Sequence, residues 1–246
     1  MEETQKELTV KEAKKEKKKK NKELTYKPNK KGEHISKFLN FMRILVIPTY
    51  WVFKPFRIYG PKEKIKGAGV YVCNHYTMFD CIYPAATTWE AMHFVAKREN
   101  FETPVLGAVI RGANGICANR DGNDVRAMLD CFKCLKNNEK ISIFPEGTRN
   151  KTDADMLPFH HGAAIMAIKT KTPIVPMMIY KRPKLFRMTH ILLGEPVELS
   201  EYYGRKMTET EALEADEKVR QMMLNLRKEH AEFLANKKKK GKVKKS

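Results

Sequence analysis

The sequence has no long uninterrupted apolar run near its N-terminus. The longest uncharged stretch there is ILVIPTYWVF (44–53), which contains Pro48 and is flanked by Arg43 and Lys54. About twenty apolar residues are needed to span a bilayer, so this run is too short for a transmembrane helix. It also lies too far from the N-terminus, between the wrong flanking residues, for a secretory signal peptide.

Cysteine is scarce, and its pattern excludes a disulfide framework. The five cysteines are odd in number and scattered along the chain, which favours free thiols in a reducing compartment. CFKC (131–134) is a lone C-x-x-C without a second pair, and in a segment of helical pattern two such cysteines indicate small apolar side chains on one face. CFKC is therefore a weak candidate for a zinc site.

Acidic residues are outnumbered, with 29 Asp and Glu against 48 Lys and Arg, and the excess is concentrated at the two ends. Residues 1–33 carry a net charge of +5 and residues 237–246 carry +7. Runs of like charge repel themselves and tend to be disordered. They could serve only as solvated tails, or they could bind anionic lipid headgroups at roughly 1 kcal/mol per Lys near the surface.

Between the basic ends, the sequence shows neither an internal repeat nor a Gly-Ser linker, which predicts one domain over residues 61–236. Residues 34–60 mix aromatic and aliphatic side chains with single basic residues, and Pro48 and Pro55 should break them into short helical pieces. Such an amphipathic helical segment suits the headgroup region of a membrane. Packing against the protein's own core is the alternative.

From residue 68 onward, short apolar runs alternate with stretches of helical spacing, which predicts an α/β fold with a largely parallel sheet flanked by helices. Helices are expected at 123–137 and 161–170, and a last helix from Thr208 to about residue 236, where TETE has the pattern of a capping box. The expected strands are GVYVC (69–73), HFVAK (93–97), ANGICA (113–118), ISIF (141–144), PIVPMMIY (173–180) and MTHILLG (188–194).

NHYTMFD (74–80) directly follows the first of these strands. Five residues on a continuous helix are about 140° apart, so His75 and Asp80 can meet only if the chain turns between them. In a strand-to-helix turn, Asp80 could hold one imidazole nitrogen and leave the other free to take a proton from a hydroxyl. A local hydrogen bond without catalytic meaning is the alternative reading of these residues alone.

FPEGTRN (144–150) follows the strand ISIF, and strand ends in an α/β sheet are where ligand sites gather. Arg149 offers a planar fork suited to a phosphate, Glu146 can bind a hydroxyl of the same ligand, and Gly147 allows close backbone approach. A Glu–Arg pair bracing a turn is the structural alternative. Lys97 and Arg120 are further basic residues near strand ends.

Taken together, these motifs resemble those of the glycerolipid acyltransferase family. NHYTMFD resembles its N-H-x-x-x-x-D block, and FPEGTRN, about seventy residues downstream, resembles its F-P-E-G-T-R block. GICANR (115–120) is similar to its second block and IVPMMI (174–179) to its later V-P block. The resemblance covers roughly residues 65–200 and is closest to the 1-acylglycerol-3-phosphate acyltransferases.

The resemblance implies a glycerol-phosphate acyltransferase-like fold and acyl transfer from acyl-CoA or acyl carrier protein to lysophosphatidate, at the cytoplasmic face of an anionic membrane, without a bound cofactor or metal. His75 would be the general base and Asp80 its orienter. Glu146, with Gly147 in its motif, would bind the glycerol part, while Arg149, Arg120 and Lys97 surround the phosphate. Cys73 is interpreted as a strand-packing residue rather than a nucleophile.

The sequence departs from the family pattern at Cys117–Asn119, before Arg120, and at the pair His160 and His161. Another lysophospholipid is therefore an alternative acceptor. A basic nucleic-acid-binding protein is the alternative from a different class, since Lys runs also neutralise phosphates. It leaves both polar motifs unexplained, so nucleic acid is not expected as a partner.

Overall fold

The computed structural model describes residues 36–61, 66–119, 124–160 and 162–243, with side chains up to Lys237. The predicted tail 1–33 and the end of the basic tail, as well as Arg120 and His161, lie outside these residues. The helices are α1 (Lys37–Phe53), α2 (Ile82–Ala85), α3 (Arg98–Glu102), α4 (Pro104–Gly112), α5 (Val125–Lys136), α6 (Ala163–Thr170) and α7 (Glu209–Val243). The strands are β1 (Phe56–Tyr59), β2 (Gly69–Cys73), β3 (Met92–Lys97), β4 (Ile116–Ala118), β5 (Lys140–Ile143), β6 (Ile174–Ile179) and β7 (Thr189–Leu193).

The strands form one mixed sheet, which within the described residues has seven strands in the order β1-β7-β6-β2-β5-β3-β4. All neighbours are parallel except β6 and β7, which run antiparallel. Strand β2 lies between β5 and β6, with Val72 opposite both Ile143 and Pro176. This arrangement confirms the predicted α/β fold with a largely parallel sheet.

Helices cover both faces of the sheet, because its central strands are apolar on both sides. One face carries side chains such as Val70 and Ile141 and packs against α5, α6 and α7. The opposite face carries Tyr71 and Met177 and packs against α1 and α2. The catalytic candidates therefore follow a strand that is fully enclosed.

Helix α1 differs from the prediction of short pieces broken at Pro48, since it is continuous through that residue. The missing Pro48 N–H frees the carbonyl of Ile44, a residue that is 66% exposed and can be solvated. Contacts with the domain hold the helix on both sides of Pro48. Arg43 is buried and its guanidinium donates to the carbonyls of Ala85 and Glu90, and the Tyr50 hydroxyl lies 3.1 Å from that of Tyr83.

Helix α1 ends before Pro55, because a residue that precedes a proline is disfavoured in the helical conformation. The chain then forms β1, a strand that the sequence did not predict. The predicted strand at 113–118 is shorter, with only Ile116–Ala118 in the sheet. The capping box at α7 is confirmed, because the Glu211 N–H donates to Thr208 Oγ1 at 3.2 Å and the Thr208 N–H to Glu211 Oε2 at 2.8 Å. Helix α7 continues past residue 236 to Val243.

Within the described residues, no helix combines the length and apolar character that crossing a bilayer requires.

Candidate active site

The chain turns between His75 and Asp80, as the helical geometry required. His75 Nδ1 lies 3.0 Å from Asp80 Oδ2, and because a carboxylate only accepts, Nδ1 carries the hydrogen. The same Oδ2 accepts the N–H groups of Tyr76 at 2.6 Å and Thr77 at 2.7 Å. Asp80 is fully buried, whereas 19% of the His75 side chain is exposed. The remaining imidazole nitrogen, Nε2, is thus left without a hydrogen and can accept one.

The carboxylate of Asp80 is held by a further contact that sequence reasoning missed. The Thr77 hydroxyl donates to Asp80 Oδ1 at 2.6 Å, so both carboxylate oxygens have donors. The His75 ring itself stacks on the ring of Phe144, with a centroid separation of 4.2 Å and an interplanar angle of 23°. Together these contacts restrict the imidazole to one orientation.

The backbone of His75 is hydrogen-bonded directly to the FPEGTRN motif. Its N–H donates to Glu146 Oε1 at 2.7 Å, and its carbonyl accepts the N–H of Asn150 at 2.7 Å. The other oxygen of Glu146, Oε2, accepts the N–H of Leu157 at 2.9 Å. Two motifs some seventy residues apart are therefore joined at the end of neighbouring strands.

Glu146 is 1% exposed, so its carboxylate is covered by the protein. Burial raises the pKa of Glu146 above its usual value, although its two backbone N–H donors act in the opposite direction. The geometry is that of a brace between the His75 backbone and the loop at Leu157.

Asn74 connects the end of β2 to the end of β6. Its Oδ1 accepts the N–H of Ile179 at 2.7 Å, and its Nδ2 donates to the Ile179 carbonyl at 3.2 Å. The side chain thus continues the hydrogen-bond ladder one step past the strand, and it is fully buried. Asn74 belongs to the NHYTMFD motif, but the backbone groups that it binds are those of Ile179, 105 residues away, and no local pattern predicts that pairing.

Two of the three basic candidates, Lys97 and Arg149, lie at the same edge of the sheet. Strands β2, β5, β3 and β4 are adjacent and parallel, so their carboxyl ends point the same way. Lys97 ends β3, and Arg149 lies in the loop after β5 beside Gly147, and all three residues are exposed. Arg120, which follows β4 in the sequence, lies outside the described residues.

Cys73 is fully buried at the end of β2, and burial raises the pKa of its thiol well above the usual value. A buried thiol that resists ionisation is a poor nucleophile. The His75–Asp80 pair therefore lies next to a cysteine that packs within the strand, and an attacking group that comes from a substrate fits this arrangement.

Residues 55–180 match the family model described as Acyltransferase. The chain is 34% identical over 122 residues to the 1-acyl-sn-glycerol-3-phosphate acyltransferase of Helicobacter pylori, a match that covers 49% of this chain and 52% of that protein. It is also 34% identical over 120 residues to the chloroplastic 1-acyl-sn-glycerol-3-phosphate acyltransferase BAT2 of Brassica napus, covering 47% and 34% of the two chains. The matched region thus spans about half or less of these curated relatives.

The crystal structure of the 1-acyl-sn-glycerophosphate acyltransferase PlsC from Thermotoga maritima has a similar fold. Its TM-score with this chain is 0.60 at 24% sequence identity, and the alignment covers 78% of each chain. The similarity therefore extends to the arrangement of the sheet and its helices.

Proposed function

The chain belongs to the Acyltransferase family, and on that premise we propose that it transfers an acyl chain to the free hydroxyl of 1-acylglycerol-3-phosphate, giving phosphatidate. The observation that carries the proposal is the hydrogen bond at 3.0 Å between the side chains of His75 and Asp80. The backbone of His75 is in turn hydrogen-bonded to Glu146 and Asn150. The relatives named as 1-acyl-sn-glycerol-3-phosphate acyltransferases support the choice of acceptor. Another lysophospholipid is the alternative acceptor.

In the proposed reaction, His75 Nε2 takes the proton from the acceptor hydroxyl as its oxygen attacks the thioester carbonyl of the donor. Asp80 stabilises the resulting imidazolium through Nδ1–H. The tetrahedral intermediate then collapses, the C–S bond breaks, and the leaving thiolate takes the proton from the imidazolium. The new ester bond replaces the thioester, so His75 returns to its starting form without a covalent acyl-enzyme.

The other site residues receive roles consistent with their positions. We assign phosphate binding to the exposed Arg149 and Lys97, which lie at the edge of the sheet that carries His75 (the active edge), and to Arg120, which follows β4 in the sequence. The prediction that Glu146 binds the glycerol part remains a prediction. Since both of its oxygens accept backbone N–H groups, we assign it the positioning of His75.

The proposed acyl donor is acyl-CoA or acyl carrier protein. Acyl transfer from either donor would require no cofactor bound to this chain. We also propose that the protein acts as a peripheral protein on the cytoplasmic face of an anionic membrane, with residues 34–60 as its membrane-contact segment and 61–236 as its catalytic domain. The outward side of α1 supports this, because Phe41, Ile44 and Leu45 are each more than half exposed.

An in vitro assay of the full chain tests the function. Purified protein is offered lysophosphatidate and other lysophospholipids, each with acyl-CoA and with acyl carrier protein donors. We expect the highest kcat/KM with lysophosphatidate, because the basic residues at the active edge complement a phosphate monoester. Comparable rates with a zwitterionic lysolipid would favour the alternative acceptor, and no transfer with any pair would refute the proposal.

A glycine substitution tests whether the shape of the FPEGTRN loop matters. Gly147 has φ +61°, and an added Cβ would lie 2.6 Å from His160 Cδ2. In Gly147→Ala we expect kcat/KM to fall by about 10²-fold, because a displacement of about 1 Å near the reacting groups has effects of that size.

Gly204→Ala is the matched control. Gly204 has a similar φ of +74°, but an added Cβ there would meet nothing within 4 Å. Both variants should lose about 1 kcal/mol of stability from the left-handed backbone, measured by urea unfolding, whereas only Gly147→Ala should lose activity. Equal activity of the two variants would show that this loop tolerates displacement.

A further inference from the structure

The loop between β6 and β7 presents a second apolar surface, separate from α1 in the sequence. Leu185, Phe186 and Met188 are 57%, 64% and 51% exposed. Soluble proteins rarely expose several large apolar side chains so close together, and contiguous apolar patches of this kind mark interaction sites. Phe186 also has φ +52°, a conformation that is unfavourable for a bulky residue.

This β6–β7 loop (residues 180–188) continues the exposed side of α1. The Phe186 N–H donates to the Phe53 carbonyl at 2.7 Å, and the two aromatic rings are 6.2 Å apart. Along α1, Phe38, Phe41, Leu45 and Val52 are spaced by three, four and seven residues and are all exposed, so they form one outward stripe. The helix stripe and the loop therefore meet at the end of α1.

Strand directions place this meeting point at the edge that carries His75. Strands β6 and β2 are parallel neighbours, so the β6–β7 loop leaves the sheet at the edge where His75 follows β2. Strand β7 runs antiparallel to β6, and β1 is parallel to β7, so β1 begins at this edge, directly after α1. Phe79 lies in the turn between His75 and Asp80 and is 47% exposed. Its ring centroid is 5.9 Å from that of Tyr50 in α1.

The charge around the loop selects the kind of partner. The loop contains four exposed basic residues, which precede its apolar residues or alternate with them: Lys181, Arg182, Lys184 and Arg187. Cations interleaved with Leu and Phe match a layer that has anionic headgroups above an acyl interior. A protein partner of the same apolar character would have to supply acidic groups at matching positions, whereas an anionic bilayer supplies both properties at any orientation about its normal.

We propose that the β6–β7 loop inserts Leu185 and Phe186 into an anionic phospholipid bilayer, as a second anchor beside α1. Two anchors that meet at the active edge would fix the tilt of the domain and turn His75 towards the lipid. The orientation of His75 rests on the proposed function, whereas insertion of the loop does not.

Vesicle binding of the full-length protein tests the second anchor. The variant Leu185→Asn/Phe186→Asn removes both apolar tips, and Asn tolerates the left-handed backbone at position 186. Sedimentation with phosphatidylcholine–phosphatidylglycerol vesicles at 0.5 M NaCl screens the lysine-rich ends and isolates apolar insertion. We expect the partition coefficient to fall by at least about tenfold, since each side chain buries apolar surface in the bilayer.

The matched control is Leu213→Asn, on α7 across the sheet from α1, where Leu213 is 45% exposed. It should bind vesicles like the wild type. In low salt, Lys184→Gln/Arg187→Gln should weaken binding to phosphatidylglycerol vesicles by about fivefold per charge but leave binding to pure phosphatidylcholine unchanged. Thermal melting of all variants verifies the fold.

Unchanged partitioning of the Leu185→Asn/Phe186→Asn variant would overturn the second anchor, as would a wild-type dimer in vesicle-free solution that this variant converts to a monomer. The acyltransferase assay separates this failure from that of the proposed function. Wild-type protein that binds vesicles through the loop without transferring acyl chains would refute the function and leave the anchor standing. Full transfer activity with loop-independent binding would do the reverse.

Discussion

His75→Ala is expected to reduce kcat/KM for acyl transfer by about 10²- to 10⁴-fold, the range that a positioned general base contributes. The substitution removes the imidazole that would take the hydroxyl proton, and the buried Cys73 nearby is too poorly ionised to replace it. Steady-state kinetics with the best donor and acceptor measure the loss. The substitution keeps the backbone hydrogen bonds of His75 to Glu146 and Asn150, so it should leave the fold intact.

His75→Asn separates the loss of the base from the loss of a hydrogen bond. The Asn amide nitrogen occupies nearly the position of imidazole Nδ1 and can still donate to Asp80, but it offers nothing in place of Nε2. We expect this variant to be as inactive as His75→Ala, with a melting temperature closer to that of the wild type. If His75→Asn kept more than about a tenth of the activity, proton transfer would have to occur elsewhere.

Asp80→Asn is expected to lower kcat/KM by about 10²- to 10⁴-fold while the protein stays folded, because the neutral amide stabilises the imidazolium poorly. Its carbonyl oxygen can still accept the N–H groups of Tyr76 and Thr77, and its amino group can donate to the Thr77 hydroxyl. The catalytic effect should therefore exceed the structural one. Kinetics and urea unfolding of the same preparation measure the two effects.

Asp80→Ala provides the contrast in stability. It leaves the buried Tyr76 N–H and the partly buried Thr77 N–H without their carboxylate, and an unsatisfied buried donor costs about 1–3 kcal/mol. We expect Asp80→Ala to be less stable than Asp80→Asn by several kcal/mol, with comparable loss of activity. An Asp80→Asn variant with near wild-type turnover would show that Asp80 only braces the turn.

The family resemblance inferred from NHYTMFD and FPEGTRN is confirmed by the match over residues 55–180. The strands β2, β5 and β6 were predicted almost to their observed bounds, because each is a short apolar run bounded by turn residues. Helix α1 and strand β1 were not, since tertiary contacts of Arg43 and Tyr50 hold the helix through Pro48. The roles of the individual site residues stay predictions until the variants above are measured.

Local chemistry in the sequence determined which residues could form a base-and-orienter pair. The five-residue spacing of His75 and Asp80 required a turn, and the structure has one, with the two side chains 3.0 Å apart. The capping box at Thr208 was likewise readable, because its partners are three residues apart. Contacts of this range depend on backbone geometry that neighbouring residues specify themselves.

Only the tertiary structure decided what surrounds the pair. Pairing of β2 with both β5 and β6 brings Glu146 to the backbone of His75 and Ile179 to Asn74, across 71 and 105 residues of chain. It also brings both carboxylate oxygens of Glu146 to backbone N–H groups, and it joins Phe186 to Phe53 at the edge of the sheet that carries His75. Such contacts depend on the order of strands in the sheet, which is set by packing of the whole core and has no signature in any short stretch of sequence.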